Sequence, residues 1–158
     1  MCCGDTPGCG TLPAMPDLIL PSLEATEALA ARVAGQARPG DAILLQGPLG
    51  AGKSAFARAF LRAASGDPGL EVPSPSYTLV QSYETPRGPI HHFDLWRLDG
   101  PDAVTELGWD ELTRDIVLVE WPERLGDLWP QNALEIQLLP LDEASRHARL
   151  SGWADRAL

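Results

Sequence analysis

Lysine is almost missing from this chain. Of its 12 lysines and arginines, only Lys53 is a lysine. A composition that uses arginine everywhere else keeps a lysine where a compact ammonium is wanted, because the planar guanidinium fork does not replace a point charge. Cysteine is scarce in another way. Cys2, Cys3 and Cys9 all fall in the first nine residues, which argues against a disulfide-stapled fold and fits a reducing cytoplasm. Two adjacent cysteines and a third, with no fourth ligand nearby, also lack the spacing of a zinc site. No apolar run approaches the roughly 20 residues of a membrane span, and no basic stretch followed by an apolar one marks an export signal. The chain is therefore expected in the cytoplasm. A basic surplus is missing too: 22 acidic residues leave a net charge of −10. That opposes direct docking on nucleic acid, where a basic surface must displace counterions, and it suits a basic protein partner.

At 158 residues, with 44% hydrophobic and 22% charged residues, the composition is that of an ordinary globular protein able to bury a core. Residues 1–16 are rich in Gly and Pro without periodicity and read as a flexible leader; residues 17–158 read as a single domain. Within it one stretch organises the rest: Gly47-Pro48-Leu49-Gly50-Ala51-Gly52-Lys53-Ser54. It follows the short apolar run Ala42 to Leu45 and opens an Ala-rich helical run, Ala55 to Ala64. Strand, Gly-rich turn and helix are the context that the phosphate-loop pattern G-x-x-x-x-G-K-[ST] requires. Glycines let backbone N–H groups turn in around phosphate oxygens, and the helix N-terminus adds partial positive charge. Lys53 is expected to reach the β- and γ-phosphates and the Ser54 hydroxyl to hold Mg²⁺.

The remaining elements fall on either side. Leu18 to Leu20 reads as a strand, and Ser22 as the N-cap of a helix to about Gly35 with Leu23, Thr26, Leu29, Ala30 and Val33 as its stripe. The helix from Lys53 carries Phe56, Phe60 and Leu61 toward a core. Alternation predicts a strand over Tyr77 to Tyr83, a hairpin turn at residues 86–89 and a second strand from Ile90 to Trp96. Pro101 suits the first helical position of a segment reaching Leu107, and a short turn follows at Trp109 to Leu112. Ile116 to Glu120 reads as a buried strand ending in a carboxylate; Leu134 to Leu139 and His147 to Trp153 read as two more strands. The expected fold class is α/β, a P-loop NTPase-like three-layer fold with a mixed, mostly parallel sheet and a β-hairpin insertion.

A phosphate loop needs a second, acidic element for the metal or its waters. Asp94 and Glu120 are the candidates, and each needs a cation or donors, since a buried lone carboxylate is costly. Arg97 and Arg124 are the arginines that would make them merely structural pairs. Trp121, next to Glu120, either stacks on a base or fills the core, the core being the usual place for a tryptophan. His91 and His92, without a metal cluster, read as structural or solvent-facing. Ser74 to Thr78 lies where a loop sensing the γ-phosphate would sit, although hydroxyls there also serve turns.

The four stretches GPLGAGKS, SPSYTLV, HFDLWRL and LVEWPE, in this order and spacing, resemble the bacterial TsaE (YjeE) family from about Leu18 to Trp153. The resemblance implies slow, Mg²⁺-dependent ATP hydrolysis in the service of the threonylcarbamoyl modification of adenosine 37, in tRNAs that read codons starting with A. It implies work with TsaB- and TsaD-like partners, with tRNA met only indirectly and no membrane. By motif it implies that residues 47–55, from Gly47 through Gly50, Gly52, Lys53 and Ser54 to Ala55, contact nucleotide, that Ser54, Asp94 and Glu120 serve the metal, and that Lys53, Asp94 and Glu120 serve catalysis. Trp121 matches a functionally important tryptophan, Ser76 and Thr78 match the hydroxyls of a switch-like loop, and Leu23 and Arg146 line the nucleotide pocket. The departures are Ala55 and Ser76 where the family commonly has threonine, and Trp96 where it has tyrosine.

Other classes remain open. A small-molecule P-loop kinase is the alternative, but it usually carries an Arg-rich lid, and the arginines here are scattered. A GTPase would need the guanine-reading N-K-x-D motif, which a chain without a second lysine does not contain. A binding module with a vestigial site is disfavoured by the intact Lys53, Ser54 and both carboxylates.

Overall fold

Capping and apolar spacing start and stop the two long helices. In the computed structural model, which describes residues 17–75, 77–153, 155, 156 and 158, helix α1 spans Leu23–Gln36. It begins where the Ser22 hydroxyl accepts the Ala25 N–H at 3.2 Å, satisfying one donor that the helix itself leaves open. Helix α2, Lys53–Ser65, ends at Gly66 with φ 72°, a left-handed conformation that glycine adopts without a Cβ clash. The leader read over residues 1–16, with its cysteines, lies outside the described residues, as does Ser76.

Seven strands form one sheet: β1 (Asp17–Leu20), β2 (Ala42–Gln46), β3 (Val80–Thr85), β4 (Gly88–Asp94), β5 (Ile116–Glu120), β6 (Leu134–Pro140) and β7 (Arg146–Ser151). Their order is β1-β7-β6-β2-β5-β4-β3. The sheet is parallel through its centre, β6-β2-β5-β4, and antiparallel at both flanks. β2 and β5 are buried along almost their whole length, as strands covered on both faces must be. Toward one face Ile43, Leu45, Leu118 and Ile136 pack with Leu29 of α1 and Phe56 and Phe60 of α2. Toward the other, Leu44, Phe93, Val117 and Val119 pack with Val104, Trp109 and Leu125. Those three come from the short helices α3 (Pro101–Glu106) and α4 (Trp109–Leu112) and a 3₁₀ segment, Pro122–Leu128. The fold is the expected three-layer P-loop NTPase-like arrangement.

Boundaries moved where backbone geometry overrode alternation. β3 begins at Val80 rather than Tyr77, because Leu79 takes φ 70° and its N–H bonds back to the Pro75 carbonyl at 2.6 Å. Gly88 and Pro89 join β4 instead of the turn, and β4 stops at Asp94. The last strand starts at Arg146 and ends at Ser151, before Gly152 and Trp153, both with positive φ.

The end of the chain is pinned to the turn before β2. Arg156 grips both oxygens of Asp41, Nη1 to Oδ2 at 2.6 Å and Nη2 to Oδ1 at 3.0 Å, and its guanidinium lies 4.1 Å from the Trp153 ring. The two side chains are only 12% and 6% exposed. Removing the cation would leave a buried carboxylate, so Arg156→Ala is expected to cost about 3–5 kcal/mol. Urea unfolding should show a lower midpoint with an unchanged slope.

Candidate functional site

Register builds the site. Leu45 of β2, Glu120 of β5 and Asp94 of β4 are neighbours across three parallel strands, forming one row at the carboxyl edge, where open α/β sheets present their ligand sites. Leu118 packs toward α2, so Glu120 two residues on shares that face, and His92 and Asp94 are the matching pair on β4. The loop of residues 47–54 leaves β2 directly beside this row.

That loop uses glycine where only glycine fits. Gly47, Gly50 and Gly52 take φ of 144°, 81° and 101°, and at Gly47 a Cβ would run into the Leu138 carbonyl oxygen. The first turn of α2 has no side-chain cap; its N–H groups face the loop. Lys53 is nearly buried, at 5% exposure. Its ammonium donates to the carbonyls of Gly47 and Pro48 and lies 3.9 Å from the centre of the Trp121 ring. Burial pulls the Lys53 pKa below its ordinary value, and the Glu120, Glu123 and Asp94 carboxylates pull it back up.

A cleft of about 340 Å³ opens over these groups, lined by residues 48–55 together with Ser74, Asp94, Trp96, Glu120 and Trp121. Glu120 is 3% exposed. Its Oε1 accepts the Ser54 hydroxyl at 3.4 Å, and its Oε2 lies 2.7 Å from His92 Nε2. Asp94 accepts the Trp96 N–H at 3.1 Å. Neither carboxylate is bonded to the arginine that a structural pair would use. Arg124 donates to the Trp96 carbonyl at 3.5 Å, and Arg97 stacks on Tyr77 at 4.6 Å. Trp121 sits at φ 59°, against Lys53 and 4.4 Å from the Trp96 ring. It is half-buried, packing on the Leu44–Phe93–Val119 core with one side and lining the cleft with the other, outside the recess formed by Leu23 and Arg146.

That recess adjoins the cleft through Gly52 and Ala55 and is lined also by Leu23, Thr26, Glu143, Ala144 and Arg146. The Arg146 guanidinium is largely spent on backbone. Nε donates to the Ala51 carbonyl at 3.0 Å, Nη2 to Gly50 at 3.2 Å, and Nη1 to Asp142 and Ser145. It braces the loop from the far side of the sheet's β6-β7 corner. Thr78 does not line the cleft; it is exposed and accepts the Gln81 amide at 3.0 Å, while Ser74 of the same segment does line it.

Of the two readings the sequence left open for the histidines, structural or solvent-facing, both take the structural one. His91 is 6% and His92 2% exposed. His91 bridges Ser82 and Asp115 at 2.7 and 2.9 Å, and His92 holds Glu120. The partnership with Glu120 went unread because an isolated His on a strand gives no signal until the neighbouring strand is known. Among the described residues no three His, Cys, Asp or Glu side chains cluster as a metal nest.

The family model for the threonylcarbamoyl adenosine biosynthesis protein TsaE matches residues 20–148. Curated proteins named tRNA threonylcarbamoyladenosine biosynthesis protein TsaE are similar along most of their length. The Rickettsia felis protein is 38% identical over 82% of this chain and 75% of its own. That of Aquifex aeolicus is 37% identical over 85% and 94%, and that of Bacillus subtilis 31% identical over 84% and 83%. The crystal structure of Bacillus subtilis YdiB superposes with a TM-score of 0.69 at 28% identity, over 89% of this chain and 88% of that one.

The loop glycines make separable demands. Gly50→Ala, with open space around the site of its Cβ, is expected to cost only the left-handed strain of about 1–2 kcal/mol. Gly47→Ala adds a backbone collision and should lower the melting temperature well beyond that, measured side by side by calorimetry.

Proposed function

The chain belongs to the TsaE family, and from that premise we propose that it is a slow Mg²⁺-dependent ATPase. It serves the threonylcarbamoyl modification of adenosine 37 in tRNAs reading codons that start with A. The observation that carries this reading is the convergence of Lys53, Ser54, Glu120 and Asp94 on one cleft at the N-terminus of α2. Backbone N–H groups of residues 52–54 and the helix dipole suit the β- and γ-phosphates, and Lys53 would exchange its two loop carbonyls for phosphate oxygens. The donors available to a metal are oxygens only, the hydroxyl of Ser54 and the carboxylates of Glu120 and Asp94, which fits a hard cation such as Mg²⁺. When bound, Mg²⁺ would neutralise charge developing on the transferred phosphoryl group. Glu120 would orient the attacking water and Lys53 would stabilise the phosphate charge. The recess of Leu23, Thr26 and Arg146 is the natural seat for the base.

Action through partners follows from the surface. A net charge of −10 suits basic protein partners rather than tRNA itself, and TsaB- and TsaD-like proteins in the cytoplasm are the partners the family suggests. Among the described residues that line the cleft there is no arginine, so a group supplied in trans would raise the rate.

Three measurements test this. Calorimetric titration is expected to show ATP binding in preference to GTP; equal or tighter GTP binding would sink the nucleotide assignment. The isolated protein should turn over on the order of once per minute or less, faster with partners present, and rapid multiple turnover alone would contradict it. Glu120→Gln should cut hydrolysis ~10²-fold or more while ATP still binds; unchanged hydrolysis removes Glu120 from the chemistry.

A further inference from the structure

His92 lies behind the cleft, against Glu120, and the proposed chemistry gives it no task. It lies on β4 opposite Leu118, one step diagonal from Glu120, whose own register partner is Asp94. Its ring is 2% exposed, and Nε2 lies 2.7 Å from Glu120 Oε2. A carboxylate oxygen at that distance accepts a hydrogen, so Nε2 is the nitrogen that carries one. Nδ1 is buried and, among the described residues, has no hydrogen-bond partner. The ring therefore makes a single hydrogen bond, and it is spent on Glu120. A histidine kept only for packing gains nothing from being polar here, since burying an unpaired ring nitrogen is a cost that phenylalanine would avoid.

Glutamate has three side-chain torsions, the last broad and two-fold. Left alone, Glu120 could swing either oxygen, or neither, toward Ser54. With Oε2 held from below by His92, Oε1 is the oxygen left at the cleft, 3.4 Å from the Ser54 hydroxyl. We propose that His92 is a positioning residue that fixes the Glu120 carboxylate in the orientation needed at the metal and water position. The inference rests on the ATPase reading given above. It needs no change in the protonation of either group, only the hydrogen bond. Carboxylates that serve metals are commonly held by such partners, and losing one typically costs 10–100-fold in affinity or activity.

The test compares His92→Phe, which keeps a ring and removes the donor, with His92→Gln, whose amide nitrogen can stand where Nε2 stood. ATP affinity is measured with Mg²⁺ and with EDTA, alongside turnover and melting temperature. In His92→Phe the tightening of ATP binding by Mg²⁺ should shrink about 10-fold and turnover fall 10–100-fold, with metal-free ATP binding unchanged within two-fold. His92→Gln should recover most of both. Should His92→Phe fail to fold, His92→Asn, whose shorter amide falls short of Glu120, replaces it with the same expectations. Full Mg²⁺ tightening and full turnover in the donor-less variant, with only the melting temperature lowered, would reduce His92 to a structural residue. Wild-type protein that binds ATP no more tightly with Mg²⁺ than with EDTA would instead overturn the metal reading of the cleft, and this inference with it.

Discussion

Three ionisable side chains, Lys53, Asp94 and Glu120, stand nearly out of water around one cleft, at 5%, 6% and 3% exposure. A charge removed from water costs several kcal/mol unless close partners replace the lost hydration. Much of the neighbouring structure is that replacement. Two loop carbonyls and the face of Trp121 receive the ammonium; a hydroxyl and an imidazole receive Glu120; a backbone N–H receives Asp94. The arrangement is tolerable without ligand, yet its donors and acceptors are borrowed from a loop and a helix end that carry no side-chain cap of their own. A polyphosphate with its cation would satisfy the same groups more fully, which is how a protein can fold around a charged site and still hold it ready.

The strained backbone follows from the same constraint. Gly47, Gly50 and Gly52 turn left-handed so that the loop can fold back over the lysine. Trp121, a residue for which that conformation is unfavourable, adopts it immediately after Glu120, which lays its ring against Lys53. Such outliers survive where surrounding packing over-determines them. Here the Trp96 ring meets that of Trp121 at a 45° tilt from one side, and Arg146 ties the carbonyls of Gly50 and Ala51 to the β6-β7 corner from another.

The sequence made the loop, its flanking strand and helix, and both carboxylates legible, because each announces itself locally: glycines at fixed spacing, a lone lysine, an apolar run that ends in an acid. Which face Glu120 uses, and what holds it, depended on the register of β4 against β5, which no local pattern encodes. His92 was therefore invisible as a partner. The strand read from Tyr77 failed for a related reason. Alternation continued through Thr78 and Leu79, but a turn bond from Leu79 to Pro75 and a positive φ claimed those residues first. Trp96 and the bracing role of Arg146 were equally hidden, since both act on backbone or rings distant in sequence.

The order of the sheet also bears on how the chain is made. β2, which carries the loop, finds its two neighbours in β5 and β6, and β1 finds its partner in β7, all much later in the sequence. As the polypeptide leaves the ribosome, Ala42 to Leu45 therefore emerges as an apolar segment whose pairing edges have nothing yet to bind. Non-local pairing of this kind slows folding and exposes unpaired edges. The nascent chain passes through a stage in which α1, β2 and α2 are complete but have no sheet to rest on. The cleft can take shape only once Glu120 and Trp121 have been synthesised, so its charged groups come together late.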